Sequence, residues 1–392
     1  MKRWLRDARG MPEGGYLPAV DGVRVLAIFI ISWFHIWQQS WLYPAFRVLG
    51  LEINAEPVVR SGYIWVDIMI LLSGFCLQLP AARQKRDTPV LPFYRRRFLR
   101  IYPSYLFSVL VMFAVALWQG LYGQNTKFLI RDLVSHLTMT QMFRMDTYYY
   151  TNLNAALWTL CLEAQLYLIF PLLSRGMVRR PVLTAAPMLA LGCGVRFFLY
   201  QWGGDVSLYF NQLPAYIDVF VLGMLCAHVQ AFLETRRRHV ATTLLWSAGT
   251  VLALYALFSL SAVQAANPDT ELIRLGQVRN RTGMACLGAG LILCAANAGL
   301  LVRTLFGNPV THFLTGVSMQ YYIWHQVLAV WISRSRIIPS RFENPNFSGD
   351  YLWQRTFSLT AFLGALLLAV ILTYALERPL FRRFSTRRKK NG

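Results

Sequence analysis

Residues 19–42 read AVDGVRVLAIFIISWFHIWQQSWL, a run whose ionisable side chains are Asp21, Arg24 and His35. A bilayer core of about 30 Å needs about 20 mostly apolar residues per crossing helix, so this stretch is long enough to span. It does not read as a cleaved leader, because it is too long, carries Arg24 and His35, and lacks a small-residue cleavage site. The same test finds nine further runs, at about 62–80, 98–121, 153–173, 181–200, 211–233, 240–263, 282–303, 310–333 and 353–376. The expected fold is therefore an all-α integral membrane protein of about ten transmembrane helices. Residues Phe128 to Phe143 (FLIRDLVSHLTMTQMF) are semi-apolar and charged, which predicts a helix lying in the membrane interface.

Composition agrees with that reading. Of 392 residues 56% are hydrophobic and only 15% charged, too few to clothe a water-facing surface. A soluble enzyme, a disordered chain and a disulfide scaffold are excluded. The net charge of +21 comes from short basic clusters between apolar runs, which points to anionic lipid headgroups and topology rather than nucleic acid. Cys76, Cys161, Cys193, Cys226, Cys286 and Cys294 stand singly with no CxxC pair, so neither disulfides nor a metal site is expected. With the N-terminus inside, 25 Lys and Arg fall on the cytoplasmic side and 13 on the other, which predicts both termini in the cytoplasm. The expected organisation is a basic cytoplasmic N-terminus (1–18), one membrane domain (19–376) and a basic cytoplasmic tail (377–392), with no internal repeat.

Ionisable residues inside spans are costly and mark functional sites. Arg24 and His35 lie 11 residues apart, roughly 20° from eclipsed and about 16 Å apart along a helix, so they share a face. Arg24 is read as a ligand for an anionic group or as a headgroup anchor, and His35 as a base or a packing histidine. Glu163 sits about 15 Å from the outer end of the fourth span, where a carboxylate should be neutral or paired. His325, on the ninth span, is about as deep as His35. Three ionisable groups of similar depth on three helices are thus candidates for one site. Asp67, near the outer end of the second span, is a weaker candidate that equally suits a cap. In Tyr94-Arg95-Arg96-Arg97-Phe98-Leu99-Arg100, the first two arginines read as topology anchors. Arg97 and Arg100 share a face and suit bidentate phosphate binding.

Five segments together resemble the acyltransferase 3 family, bacterial inner-membrane O-acyltransferases that modify glycans. Asp21-Gly22-Val23-Arg24 through His35 resembles its D-G-[LIV]-R entry with an R-x10-H pair. Val66-Asp67 through Leu72-Ser73-Gly74-Phe75 resembles V-D…L-S-G-F, and Arg97 to Pro103 resembles R-x-x-R-[IL]-x-P. Trp158 to Tyr167 resembles W-S-L-x-x-E-x-Q-[FY]-Y, and Tyr322-Ile323-Trp324-His325 with Glu377-Arg378-Pro379 resembles its close. Thr159 stands where the family often has Ser, and Ala164 where a second Glu is common. The chain stops about 15 residues after its last expected span, so the separate SGNH hydrolase-like step of many relatives would fall to another protein.

The resemblance implies transfer of a short acyl group, usually acetyl, from acyl-CoA as co-substrate to a sugar hydroxyl. On that reading His35 is the general base, Glu163 orients or stabilises its ring, and His325 positions the acceptor or thioester. Arg24, Arg97 and Arg100 hold the donor phosphates, and Tyr102, Trp158 and Gln165 are further candidates from the matching motifs. No tightly bound cofactor and no metal are expected. Partners are acyl-CoA, a glycan or lipid-linked saccharide, membrane lipids and other envelope-assembly proteins, without nucleic acid. The expected location is the bacterial cytoplasmic membrane. Direct transfer and an acyl-enzyme relay both remain open, as does acylation of a lipid-linked sugar or small molecule from the cytoplasm. The rival classes are a secondary transporter, which should show pseudo-repeats, and a non-catalytic envelope scaffold.

Overall fold

The computed structural model describes residues 17–381 apart from 49, 203, 237 and 238; the predicted basic N-terminus and most of the tail lie outside the described residues. Ten long helices occupy the ten apolar runs. They are α1 (Pro18–Ser40), α2 (Val66–Gln84, entered through a 3-10 turn at Gly62–Trp65) and α3 (Val90–Trp118), followed after the short α4 (Thr126–Leu137) by α5 (Trp158–Arg179) and α6 (Pro181–Trp202). Then come α7 (Leu213–Leu233), α8 (Val240–Ala265), α9 (Thr270–Asn297), the short α10 (Leu300–Phe306), α11 (Pro309–Arg334) and α12 (Tyr351–Leu372). Among the described residues eight helices are long and apolar enough to cross a membrane, or nine if Thr270–Asn297 and Leu300–Arg334, which meet at 116°, form one span. The two that fall short carry the polar residues Asn280, Arg281 and Asn297, and Gln320, His325 and Gln326. All but Gln326 of these are buried, so the polarity faces protein rather than lipid.

The outer surface is apolar. Leu172, Leu245, Leu301 and Leu352 are exposed, as a chain solvated by acyl tails requires. Without a hydrophobic drive between helices, close approach supplies the packing, and small residues permit it. A Cβ on Gly74 would stand 2.1 Å from the Phe220 carbonyl oxygen, and one on Gly223 would stand 2.0 Å from that of Leu71. Glycine is therefore required on both sides of the α2–α7 crossing. Two buried ion pairs tie the same region together: Arg281 Nε to Asp67 Oδ1 at 3.2 Å, joining α9 to α2, and Arg196 to Asp218, joining α6 to α7.

One end of the bundle is rich in arginine. Leu17 and Gln84 line the same cavity there, and Asp21 Oδ2 accepts from His312 Nδ1 at 3.1 Å. Arg83 pairs with Glu234, and Arg175 with Asp87, at that end. The opposite end carries an antiparallel hairpin, Ala45–Val48 (β1) with Leu51–Asn54 (β2), closed at Gly50 with φ +83°. The hairpin is the departure from an all-α reading, and its four-residue strands give too short an alternation to stand out.

Helix α4 has the sidedness of an interfacial helix: Asp132, Ser135 and His136 are buried while Ile130 and Val134 are exposed. At twelve residues it is too short to span. Tyr105 OH donates to the His136 carbonyl at 2.7 Å and Tyr102 OH to that of Leu137 at 3.1 Å, so its end docks against the body of α3. The chain that follows runs into the bundle. Asn154 Nδ2 donates to the Ile323 carbonyl, in the middle of α11, at 2.7 Å.

Candidate active site

Helices α1, α2, α3, α5 and α11 enclose a cavity of about 720 Å³ at the arginine-rich end. Arg24, Arg97 and Arg100 line it, and none of the three forms an ion pair with a described residue. Arg24 Nη2 donates to Cys76 Sγ at 3.3 Å. Arg97 lies between aromatic faces, 5.7 Å from the Phe93 centroid and 5.8 Å from that of Tyr167, and its buried Nε has no hydrogen-bond partner among the described residues. Of the carboxylates in the wall, Asp21 is engaged by His312, and Glu163 accepts from Tyr167 OH at 3.3 Å. Tyr167 OH in turn meets Ser73 Oγ at 3.3 Å. Guanidiniums with unfilled donors in a narrow cavity have the chemistry to hold phosphate oxygens.

At the deep end, Thr159 Oγ1 donates to Tyr322 OH at 2.9 Å, and both line the cavity. Behind Tyr322 is a pair of histidines outside the cavity wall. The His325 ring lies 5.5 Å from the Tyr322 ring and 5.2 Å from His35. His325 Nδ1 donates to the Tyr322 carbonyl at 2.7 Å. A carbonyl only accepts, so Nδ1 carries a proton, and in the neutral ring Nε2 holds the lone pair. That Nε2 is buried and has no partner among the described residues. His35 Nδ1 lies 3.0 Å from Gln38 Oε1. His35 is five residues before Ser40, hence about 7.5 Å below the far end of α1 at the helical rise. Among the described residues no three His, Cys, Asp or Glu side chains gather to hold a metal ion.

The expected residues therefore divide into two groups. Arg24, Arg97, Arg100 and Glu163 share the cavity, and His35 and His325 share a site beyond Tyr322. The expected contact between Glu163 and His35 is not formed. Gln38, one turn further along α1, takes the His35 ring, while Glu163 turns to Tyr167 within its own helix. Asp67 stands apart from the cavity, clasped by Arg281. Tyr102 holds α4, Gln165 Nε2 meets Met142 Sδ at 3.3 Å, and Trp158 packs on Tyr148 and Tyr216. These three organise the chain between α3 and α5 and stand outside the cavity wall. Sequence reading meets Ser73, Thr159, Tyr167 and Tyr322 inside its motifs but makes none of them a site residue, because hydroxyls are unremarkable on membrane helices. It also passes over Gln320, whose Nε2 donates to Ser104 Oγ at 2.7 Å and to Glu377 Oε2 at 3.1 Å. Glu377 ends a π-helical turn at Thr373–Glu377, the kind of local widening that often accompanies functional sites.

A sequence profile described as an acyltransferase domain matches residues 17–378. Proteins of several Staphylococcus aureus strains, provisionally named O-acetyltransferases, are 21% identical over 334 residues, covering 79% of this chain and 50% of theirs. YrhL of Bacillus subtilis, provisionally named a peptidoglycan O-acetyltransferase, is 23% identical over 340 residues, 80% of this chain and 49% of that protein. The acyltransferase MdmB of Streptomyces mycarofaciens is 30% identical over 178 residues, 42% of this chain and 41% of its own. The chain thus spans about half the length, or less, of these curated relatives. No solved structure gives a significant match. The profile match runs through every helix that builds the cavity and the histidine pair, and the chain belongs to the acyltransferase 3 family.

Proposed function

We propose that this chain is a membrane O-acyltransferase that moves a short acyl group, acetyl, from acyl-CoA to a sugar hydroxyl of an envelope or extracellular glycan. One observation carries the reading. Three arginines without carboxylate partners among the described residues converge on a cavity at one end of the bundle, and two histidines meet beyond its deep wall, close to the other end. This is the division of labour that a cytoplasmic donor and an external acceptor require. With the arginine-rich end inside, the donor's phosphates sit on Arg24, Arg97 and Arg100 in the bacterial cytoplasmic membrane, and both chain ends face the cytoplasm.

The chemistry follows from the free imidazole nitrogen. A sugar hydroxyl is a poor nucleophile at neutral pH, and a histidine Nε2 that accepts its proton as the C–O bond forms raises its reactivity. The oxygen adds to the thioester carbonyl. The tetrahedral adduct collapses with cleavage of the C–S bond, and the leaving thiolate takes up the proton held by the imidazolium. The products are an O-acyl ester and free thiol, so atoms and charge balance. Tyr322, hydrogen-bonded to Thr159, separates donor cavity from histidines, and transfer proceeds when that contact parts. The full chain in nanodiscs, supplied with labelled acetyl-CoA and envelope glycan, should release CoA and label glycan in equal amounts. Glycan mass spectra unchanged by deletion of the gene would refute the reading.

A further inference from the structure

Beyond His35 the rings of α1 continue outward in an unbroken series. Phe34 lies 4.9 Å from His35 and 6.4 Å from Trp37, Trp37 lies 4.8 Å from Trp41, and Trp41 lies 5.5 Å from Phe347. The last step joins segments some three hundred residues apart in the chain, so it is a tertiary arrangement and not a helical repeat. Accessibility rises along the series. Phe34 and Trp37 are half-buried, Trp41 is 46% exposed and Phe347 is 72% exposed.

A second observation concerns the backbone. Trp41 caps α1 with φ 52° and ψ 28°, the left-handed region that bulky side chains rarely occupy. Such a conformation is disfavoured for a residue with a Cβ and persists where the surroundings hold it. Here it accompanies a Trp41 N–H bond to the Trp37 carbonyl at 2.7 Å and leaves the indole over Trp37 and against Phe347.

From the continuity of these rings with His35 we infer that Trp37, Trp41 and Phe347 form the landing platform for a pyranose ring of the acceptor glycan. The chemistry is complementary. A pyranose presents a face of C–H groups, which the negative face of an aromatic ring attracts, while its hydroxyls stay at the edges for water and amides. Gln38 is exposed beside the platform, engages His35 through Oε1 and makes no other hydrogen bond among the described residues, so its amide N–H groups are free for a hydroxyl. A sugar stacked on this series has its neighbouring residue directed toward the histidine pair. The inference rests on the reading of that pair as the transfer site.

The test uses the full chain in nanodiscs and two saccharide probes, chitotetraose and cellotetraose, with binding read by saturation-transfer NMR and by tryptophan fluorescence. Trp41→Leu and Phe347→Leu keep apolar bulk but remove the π face. Each should weaken binding of the better probe about tenfold, whereas Trp41→Phe should retain most of it. Phe347 lies in an exposed loop, so its variant reports even if Trp41→Leu folds poorly. Both variants should bind a non-hydrolysable acetyl-CoA analogue as the parent does. His35→Ala should lose transfer yet keep saccharide binding. If His35→Ala instead transfers normally, the transfer reading fails while the platform stands. Binding of neither probe to the parent chain, or leucine variants that bind as tightly as the parent, would mark the rings as a membrane anchor and overturn the inference.

Discussion

His325 and His35 face each other at 5.2 Å between ring centroids, and the Tyr322 carbonyl holds the proton of His325 on Nδ1. On the proposed function, two imidazoles so close, one with a buried Nε2 that has no partner among the described residues, act as a unit that accepts and hands on one proton. His325→Ala and His35→Ala should each lower kcat about 10²–10⁴-fold, the usual worth of a general base. The double variant should be little worse than the more damaging single one, because groups that act as a unit are not additive. Steady-state rates on folded protein check this. Full additivity would mean that the two rings act independently.

Arg97→Ala and Arg100→Ala should each weaken donor binding by about 10–100-fold, the scale of a lost charged hydrogen bond. Lysine should restore only part of it, since an ammonium cannot reproduce the fork. Arg97 is the more demanding position, because the Phe93 and Tyr167 rings on either side suit a planar guanidinium. Titration with a non-hydrolysable acetyl-CoA analogue gives the answer, with Arg95→Ala as the control.

The hydroxyl contact between Thr159 and Tyr322 closes the deep end of the cavity. A single neutral hydrogen bond contributes about 0.5–1.5 kcal/mol, so Thr159→Val should raise the open population about 2–10-fold. The expected phenotype is uncoupling: acetyl-CoA hydrolysis in the absence of acceptor increases by that factor while donor affinity is kept. Unaltered background hydrolysis would mean that the contact is not a gate.

What the sequence made legible follows from what periodicity and depth can report. The helices were readable because a long apolar run has few solutions in lipid, and among the described residues eight, or nine with the bent pair, are long and apolar enough to cross. Depth along a helix also brought His35 and His325 to one level, and they do meet. Depth says nothing of azimuth, however, and Glu163 faces Tyr167 instead of His35. The dip of the chain at Asn154 into the middle of α11 was hidden for another reason. It is held by side-chain amides to backbone carbonyls, contacts with no pattern in the sequence.

Asp67 and Arg281 test the other use of charge in this bundle. They are buried together at 3.2 Å, and the Arg281 guanidinium also lies 3.7 Å from the Tyr216 centroid. Removing one partner strands the other, so Asp67→Asn should destabilise the protein by about 3–5 kcal/mol. Replacing both, as in Asp67→Leu with Arg281→Met, should recover much of that loss. Thermal denaturation in detergent measures it. Full activity in surviving Asp67→Asn protein would confirm that the pair holds helices and does no chemistry.

Glu163 is the carboxylate that remains for the donor cavity once His312 has engaged Asp21. Its place among arginines that make no ion pair suggests a role in release. When ionised, the Glu163 carboxylate would weaken phosphates bound nearby, and within a cavity of low dielectric that repulsion is larger than in water. Glu163→Gln keeps the size and the hydrogen bond from Tyr167 while removing the charge. The expected result is tighter binding of free CoA as product, a lower inhibition constant, and a lower kcat because release slows. The pH profile of kcat/KM should stay that of the parent, because Gln38 and not Glu163 holds the His35 ring. If Glu163 instead stabilised an imidazolium during transfer, the amide variant would lose kcat/KM as well as kcat and its pH profile would shift. Product inhibition and the pH profile, measured on the same preparation, separate the two outcomes, and a shifted profile with unchanged CoA affinity would reject the release role.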